Sequence, residues 1–312
     1  MDRFLTFKKK MIGGVKPMTI CLSAICNNGA GIVFCADRMV TVGGRLTFEQ
    51  ARAKFGLASS KTKNCVILNA GDSYNANKIV LEVGEILDKE ISKGKKFTIM
   101  EISEVIKNVM KNLRKEKIDS QILNSRGLKI DTFYMNLNKY PESFWREIDK
   151  QISEYSLGVE FLVVGFDVLE NDKQFIPHIN LIEEDEQIEV LDGDGFGIIG
   201  IGNIMSLPEI TKEPYAWSTP MSEAIVKVYW AKKSAERVVS VGSKSTDLGA
   251  LWCISNPQTG DIEVRGTQLQ QSFLDELNKN YDASLQKMKE TILEIEKNIN
   301  DIFSGKKNLV LK

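Results

Sequence analysis

A single histidine, His178, is present among 312 residues. That scarcity excludes a metal centre built on several imidazoles, and it leaves a Ser-His-Asp triad dependent on one residue beside Pro177, with no nucleophile-elbow motif to support it. A structural role is the favoured reading for His178. Long hydrophobic runs are also missing, since none approaches the roughly 18 apolar residues that span a bilayer. The N-terminal stretch "MDRFLTFKKKMIGGVKP" carries three consecutive lysines with no apolar segment behind them, unlike a secretory signal. A cytoplasmic location without a membrane partner is expected. Net charge is equally scarce: 41 Lys and Arg face 42 Asp and Glu, a balance of -1 that offers no field for steering toward nucleic acid. The five cysteines, Cys21, Cys26, Cys35, Cys65 and Cys253, are odd in number and irregular in spacing. They read as buried apolar side chains in a reducing compartment rather than as a disulfide framework.

What is present is enough apolar residue, 43%, to bury a sizeable core. From Thr19 the chain alternates through Ile20, Leu22, Ala24 and Cys26, turns at Asn27-Asn28-Gly29 and resumes as "GIVFCAD", the pattern of a β-hairpin. "NCVILNAGD" at 64–72 reads as another strand. Spacing of three and four residues predicts two helices over 73–117, and a further one near Phe144 to Ile152 within a mixed segment, 118–158. Four apolar runs at 161–167, 177–184, 187–192 and 195–202 then predict an antiparallel meander. A helix is expected over about 220–238, with Thr219 as N-cap and Pro220 in the first turn. "LGALWCIS" at 248–255 reads as the strand that closes the sheet. From Leu274 to Ile302 the apolar residues follow nearly a heptad seam, which predicts a long amphipathic helix. Packing along its own domain is favoured for that helix over a coiled coil between chains.

Two motifs fail on context. "GFGIIG" at 195–200 matches a dinucleotide fingerprint, but Pro208 interrupts the helix that should follow and no βαβ unit surrounds it. "DGDG" at 192–195 opens like a calcium loop, yet Asn203 stands where a bidentate Glu is required, so a turn between strands is expected.

A third constellation holds together. If the working chain began at Thr19, one residue would carry a hydroxyl nucleophile and a free α-amine able to act as its base near neutral pH. Such a design needs a cation, a carboxylate to hold that cation, and a backbone N–H for the oxyanion. Asp37 at the end of the hairpin, Lys54 at the start of the next strand-like stretch, and Gly71 in "ILNAGD" supply candidates.

Together, Thr19 at the head of a strand, "ADRMVT" at 36–41, Lys54 and "AGD" at 70–72 resemble the proteasome β-subunit family of N-terminal nucleophile hydrolases. The likeness runs on through "FLVVGFD", "PHINLIE" and "GIGNIMSLPE", covering about 19–255 with 118–158 as an insertion. The resemblance implies an α+β fold, a four-layer αββα sandwich of two antiparallel sheets between helices, with the long C-terminal amphipathic helix added to it. The implied domain plan is a leader, propeptide or upstream start at 1–18, a hydrolase domain at 19–266 and a helix and tail at 267–312.

The resemblance implies Thr19 as nucleophile, Asp37 and Lys54 as its electrostatic partners, Gly71 as oxyanion donor and Thr41 as a main-chain clamp for a peptide. It implies no metal or other cofactor. Its partners would be a peptide or unfolded protein as substrate, further copies in a homo-oligomeric ring, and room for a regulatory ATPase. The chain departs from the family pattern at three places. Ile201 stands where a serine is common in the glycine-rich turn, "VVSVGSKSTD" has no acid in the expected place and offers Ser243 as its substitute, and Met18 replaces the glycine usual before the threonine. A methionine aminopeptidase removes Met before a residue as small as Thr, so initiation at Met18 would expose Thr19, as would autolysis of a propeptide. The alternatives to a threonine peptidase are a catalytically silent scaffolding subunit of the same fold and a hydrolase acting on a small amide.

Overall fold

The computed structural model describes residues 19–42, 46–49, 53–169, 174–183, 187–238, 241–243, 245–255 and 262–303. The leader, 1–18, lies outside them. Strand β1 (Cys21–Cys26) and strand β2 (Gly31–Asp37) form the expected hairpin, with Asn27 and Asn28 at positive φ in its turn. Both strands are buried along their whole length, so each alternate set of side chains has its own core to fill.

Strands β3 (Met39–Val42) and β4 (Leu46–Glu49) make a separate two-stranded ribbon. The strands β5 (Phe55–Leu57), β6 (Cys65–Gly71), β7 (Val159–Leu169), β8 (Gln174–Ile182) and β9 (Ile188–Val190) form one antiparallel sheet in that order. The second five-stranded sheet has the order β10–β1–β2–β11–β12, with β10 at Phe196–Ile199, β11 at Thr246–Ser255 and β12 at Ile262–Gln268.

Two expectations change here. The meander ends after three strands, because β10 leaves its sheet and pairs with β1, Cys21 opposite Ile199. And β11 does not close its sheet: β12 pairs along it from Gly249–Gln268 to Ser255–Ile262. Strand β12 is largely exposed, so it lacks the apolar run that marks a buried strand.

The two sheets face each other across a shared core. Cys21, Ile25 and Phe34 from one meet Val66, Leu68, Leu162, Val164 and Phe166 from the other. The opposite faces of β6 and β7, with Cys65, Ile67, Phe161 and Val163, pack against helix α1 (Ser73–Ile91) and helix α2 (Ile99–Ile118) through Ile79, Val83, Ile102 and Ile106. Period-two alternation in the strands and period-3.6 spacing in the helices bring these sets together. Asp72 caps α1 by accepting from the Asn75 N–H at 2.9 Å, and Thr98 with Glu101 forms a capping box on α2.

The segment 118–158 is more helical than its composition suggests. After a π-turn at Asp119–Leu123 it forms helix α3 (Ile130–Met135) and helix α4 (Glu142–Glu154), and it buries a small cluster of its own around Leu123, Phe133, Ile148 and Ile152.

Helix α5 spans Asn203–Ile210 and includes Pro208, so the proline does not prevent a helix after the glycine-rich turn. Helix α6 (Met221–Ala235) packs on β1 and β2. Its cap position is Pro220 without a side-chain cap, not Thr219, whose carbonyl instead accepts from the Asn27 N–H at 2.7 Å.

The chain divides between Gln268 and Leu269 into two compact units. The second unit, 269–312, contains helix α7 (Gln271–Phe303), on which Met288, Ile292 and Ile295 are exposed. No helix among the described residues is long and apolar enough to cross a membrane.

Candidate active site

Thr19 and Asp37 become neighbours because they are at the open end of the β1–β2 hairpin, where the Asp37 N–H donates to the Ile20 carbonyl at 3.1 Å. Lys54 comes from the other sheet, one residue before β5. Its carbonyl accepts from both the backbone N–H and the side-chain amide of Asn69, at 3.0 and 3.1 Å, which fixes the stem from which the ammonium reaches across. The Asn69 carbonyl accepts from the Cys21 thiol at 3.2 Å, a direct tie between the two sheets beside the site.

The three side chains meet in a buried group. The Thr19 hydroxyl donates to Asp37 Oδ1 and its oxygen accepts from Lys54 Nζ. Lys54 Nζ also stands 3.0 Å from Asp37 Oδ1. A buried ion pair is tolerated only when its remaining hydrogen-bonding capacity is met. Asp37 meets that demand with two further donors, the Ile20 N–H on Oδ1 at 3.2 Å and the Gly242 N–H on Oδ2 at 2.7 Å. The Thr19 hydroxyl thus lies between a carboxylate that orients it and a cation that would stabilise its anion.

Gly71 terminates β6, two residues after Asn69, at φ +113°, and a Cβ there would run into the Gly158 carbonyl. The backbone thus requires glycine at the position expected to supply the oxyanion N–H. Thr41 lies in β3 with its backbone paired to Thr47; its side chain is outside the described residues. Ser243 is exposed, while its neighbour Gly242 donates its N–H to Asp37 Oδ2.

The glycine-rich turn also has a use at the site. Gly200 has φ +91° and its missing Cβ makes room for the Thr19 carbonyl, which accepts from the Gly202 N–H at 3.4 Å. The Gly200 N–H donates to Glu160 Oε2 at 2.9 Å. The G-x-G-x-x-G match therefore serves the first residue of the site.

Several of these partners escape sequence reasoning. Asn69 and Glu160 are polar residues inside strand patterns, and that interruption is their one visible signal. Asp247, buried on β11, holds Arg38 through two bonds of 2.6 and 2.7 Å and so anchors the residue after Asp37.

His178 stands away from this chemistry. It bridges Asp192 at 2.8 Å and Asp167 at 3.3 Å, and these carboxylates raise its pKa to about 9. Asp192 also accepts from the Ile179 N–H, so "DGDG" is a turn tied to β8. The five cysteines are free thiols, and burial raises the pKa of Cys35 to about 12 against the pull of nearby Lys232. A cleft of about 830 Å³ opens between β5 and β12, lined by Phe34, Phe55, Val66, Leu251 and Arg265. It begins one residue after Lys54, at the edges of the two sheets.

No protein-family model matches the chain, and no curated protein matches it.

Proposed function

We propose that the chain is an N-terminal nucleophile hydrolase of the proteasome β-subunit type, a threonine peptidase that becomes competent once residues 1–18 are removed. The observation that carries this reading is the Thr19 hydroxyl held between Asp37 and Lys54, all three buried at the meeting point of two sheets. The antiparallel sheets with helices on their outer faces are compatible with the sandwich that the family uses.

In this mechanism the freed α-amine of Thr19 takes the proton from its own hydroxyl, directly or through water. The neighbouring ammonium of Lys54 keeps that amine from protonating, because like charges disfavour each other. The Thr19 oxygen attacks the scissile carbonyl carbon, and the Gly71 N–H receives the negative oxygen of the tetrahedral adduct. The carbon–nitrogen bond breaks as the amine proton passes to the leaving nitrogen, which leaves an ester on Thr19. Water, deprotonated by the same amine, cleaves that ester and restores the hydroxyl. Lys54 stabilises the attacking oxygen, and Asp37 orients both Thr19 and Lys54. Assembly into a homo-oligomeric ring belongs to this reading.

The test is covalent labelling of the processed chain with a threonine-directed electrophile, followed by peptide mapping. Label on Thr19 that disappears in Thr19→Ala supports the peptidase. A correctly processed, folded chain that takes no label supports the silent scaffolding subunit. A peptide library separates proteolysis from hydrolysis of a small amide.

A further inference from the structure

Lys232 has no part in the reaction above, yet it is fully buried on α6. An ammonium carried out of water is costly unless partners replace its hydration. The other buried positions of α6 carry no charge: Ala224, Val228, Ala231 and Ala235 are aliphatic, Ser234 is small and Tyr229 is aromatic. Packing alone therefore does not call for a charge at 232.

Its partners are specific. Lys232 Nζ donates to Glu236 Oε1 at 2.6 Å and to the Gly242 carbonyl at 2.9 Å. The other oxygen of Glu236 holds Lys233 at 2.6 Å. Gly242, through its own N–H, donates to Asp37 Oδ2 at 2.7 Å. The four groups run in sequence from Glu236 to Lys232, to Gly242, to the carboxylate that binds Thr19 and Lys54.

We propose that Lys232 is a positioning residue: by anchoring Gly242 it aims the Gly242 N–H at Asp37 and so fixes the carboxylate against Thr19. The effect on the nucleophile rests on the threonine-hydrolase reading, whereas the anchoring of Gly242 does not. It also gives a physical account of the segment "VVSVGSKSTD", whose acid, Asp247, holds Arg38 rather than Thr19. Here the backbone of that segment touches the site, and its anchor is a lysine–glutamate pair reached from α6.

The test uses the full processed chain as wild type, Lys232→Met and Glu236→Gln. The first readout is amide hydrogen exchange at Gly242, with Val163 in β7 as an internal reference for global opening. The second is inactivation by a threonine-directed electrophile, resolved into its maximal rate and its half-saturating concentration. The expected result is exchange at Gly242 roughly tenfold faster in Lys232→Met with Val163 unchanged, because a bond to a charged group is among the stronger ones in a fold. The maximal inactivation rate falls by a similar factor while the half-saturating concentration stays within about twofold. Glu236→Gln moves both readouts in the same direction and serves alone if Lys232→Met does not fold. Wild-type exchange at Gly242 in the variants overturns the anchoring, and faster exchange with an unchanged inactivation rate overturns the positioning role. If wild type itself takes no label on Thr19, the hydrolase reading fails, and the Gly242 exchange still decides whether Lys232 anchors it.

Discussion

Lys54 Nζ stands 3.0 Å from Asp37 Oδ1, and the two residues come from different sheets. Their ion pair is therefore a cross-sheet bond as well as a candidate charge system for Thr19. Removing Lys54 leaves Asp37 buried without its cation, so Lys54→Met should cost about 3–5 kcal/mol of stability. Asp37→Asn with Lys54→Met together should cost less than the sum of the single changes, since the second removes the charge that the first strands. Urea unfolding of the four proteins in that cycle measures the difference, and strict additivity would show that the pair does not interact.

Gly200 lies against the Thr19 carbonyl at φ +91°. Gly200→Ala combines an unfavourable backbone conformation with a collision, a loss of about 1–3 kcal/mol, and it should displace Thr19. Thermal unfolding reads the first effect and electrophile labelling the second. A variant with unchanged melting and unchanged labelling contradicts this placement of the turn.

His178 carries the clearest pH dependence. Its pKa rises from 6.5 to about 9 on folding, through Asp167 and Asp192. A raised folded-state pKa gives stability that is fully present below pH 6.5 and fades as the pH climbs through 9. The melting temperature should fall across that window in the wild type and fall less steeply in His178→Gln. Parallel pH profiles for the two proteins would remove His178 as the cause.

The thiols give a reactivity prediction. Cys21, Cys26, Cys35 and Cys65 are buried, and burial raises the pKa of each, whereas Cys253 is partly exposed with its pKa at about 12. Iodoacetamide at mildly alkaline pH should modify Cys253 slowly and the other four only after denaturation. Mass mapping that finds Cys21 or Cys35 alkylated in the folded chain would contradict the packing around the site.

Much of the strand order near Thr19 was legible because the chemistry there is local in sequence. The hairpin follows from alternation and the Asn27-Asn28-Gly29 turn, and pairing of its strands brings Asp37 to Thr19 without long-range information. Lys54 follows from its place at the start of β5. The partners that complete the site are of another kind. Gly242 reaches Asp37 across 205 positions, and no periodicity encodes a contact of that span. Lys232 did carry a signal, a lysine on the buried face of α6 between Val228 and Ala235, though not the identity of its partner. For β10 the pattern marked a strand correctly, but the meander reading put it in the wrong sheet, because alternation does not encode which strand is the partner. Strand β12 has only Ile262 and Val264 to mark its apolar face, too few to separate it from a loop.

The central claim is that Thr19 works as the first residue of the mature chain. N-terminal sequencing and intact mass of protein made in its native host test it most directly. The account predicts a chain that begins at Thr19 with a free amine. A mature chain that still begins at Met18 or Met1 would contradict it, because the base of the proposed reaction would then be tied up in a peptide bond.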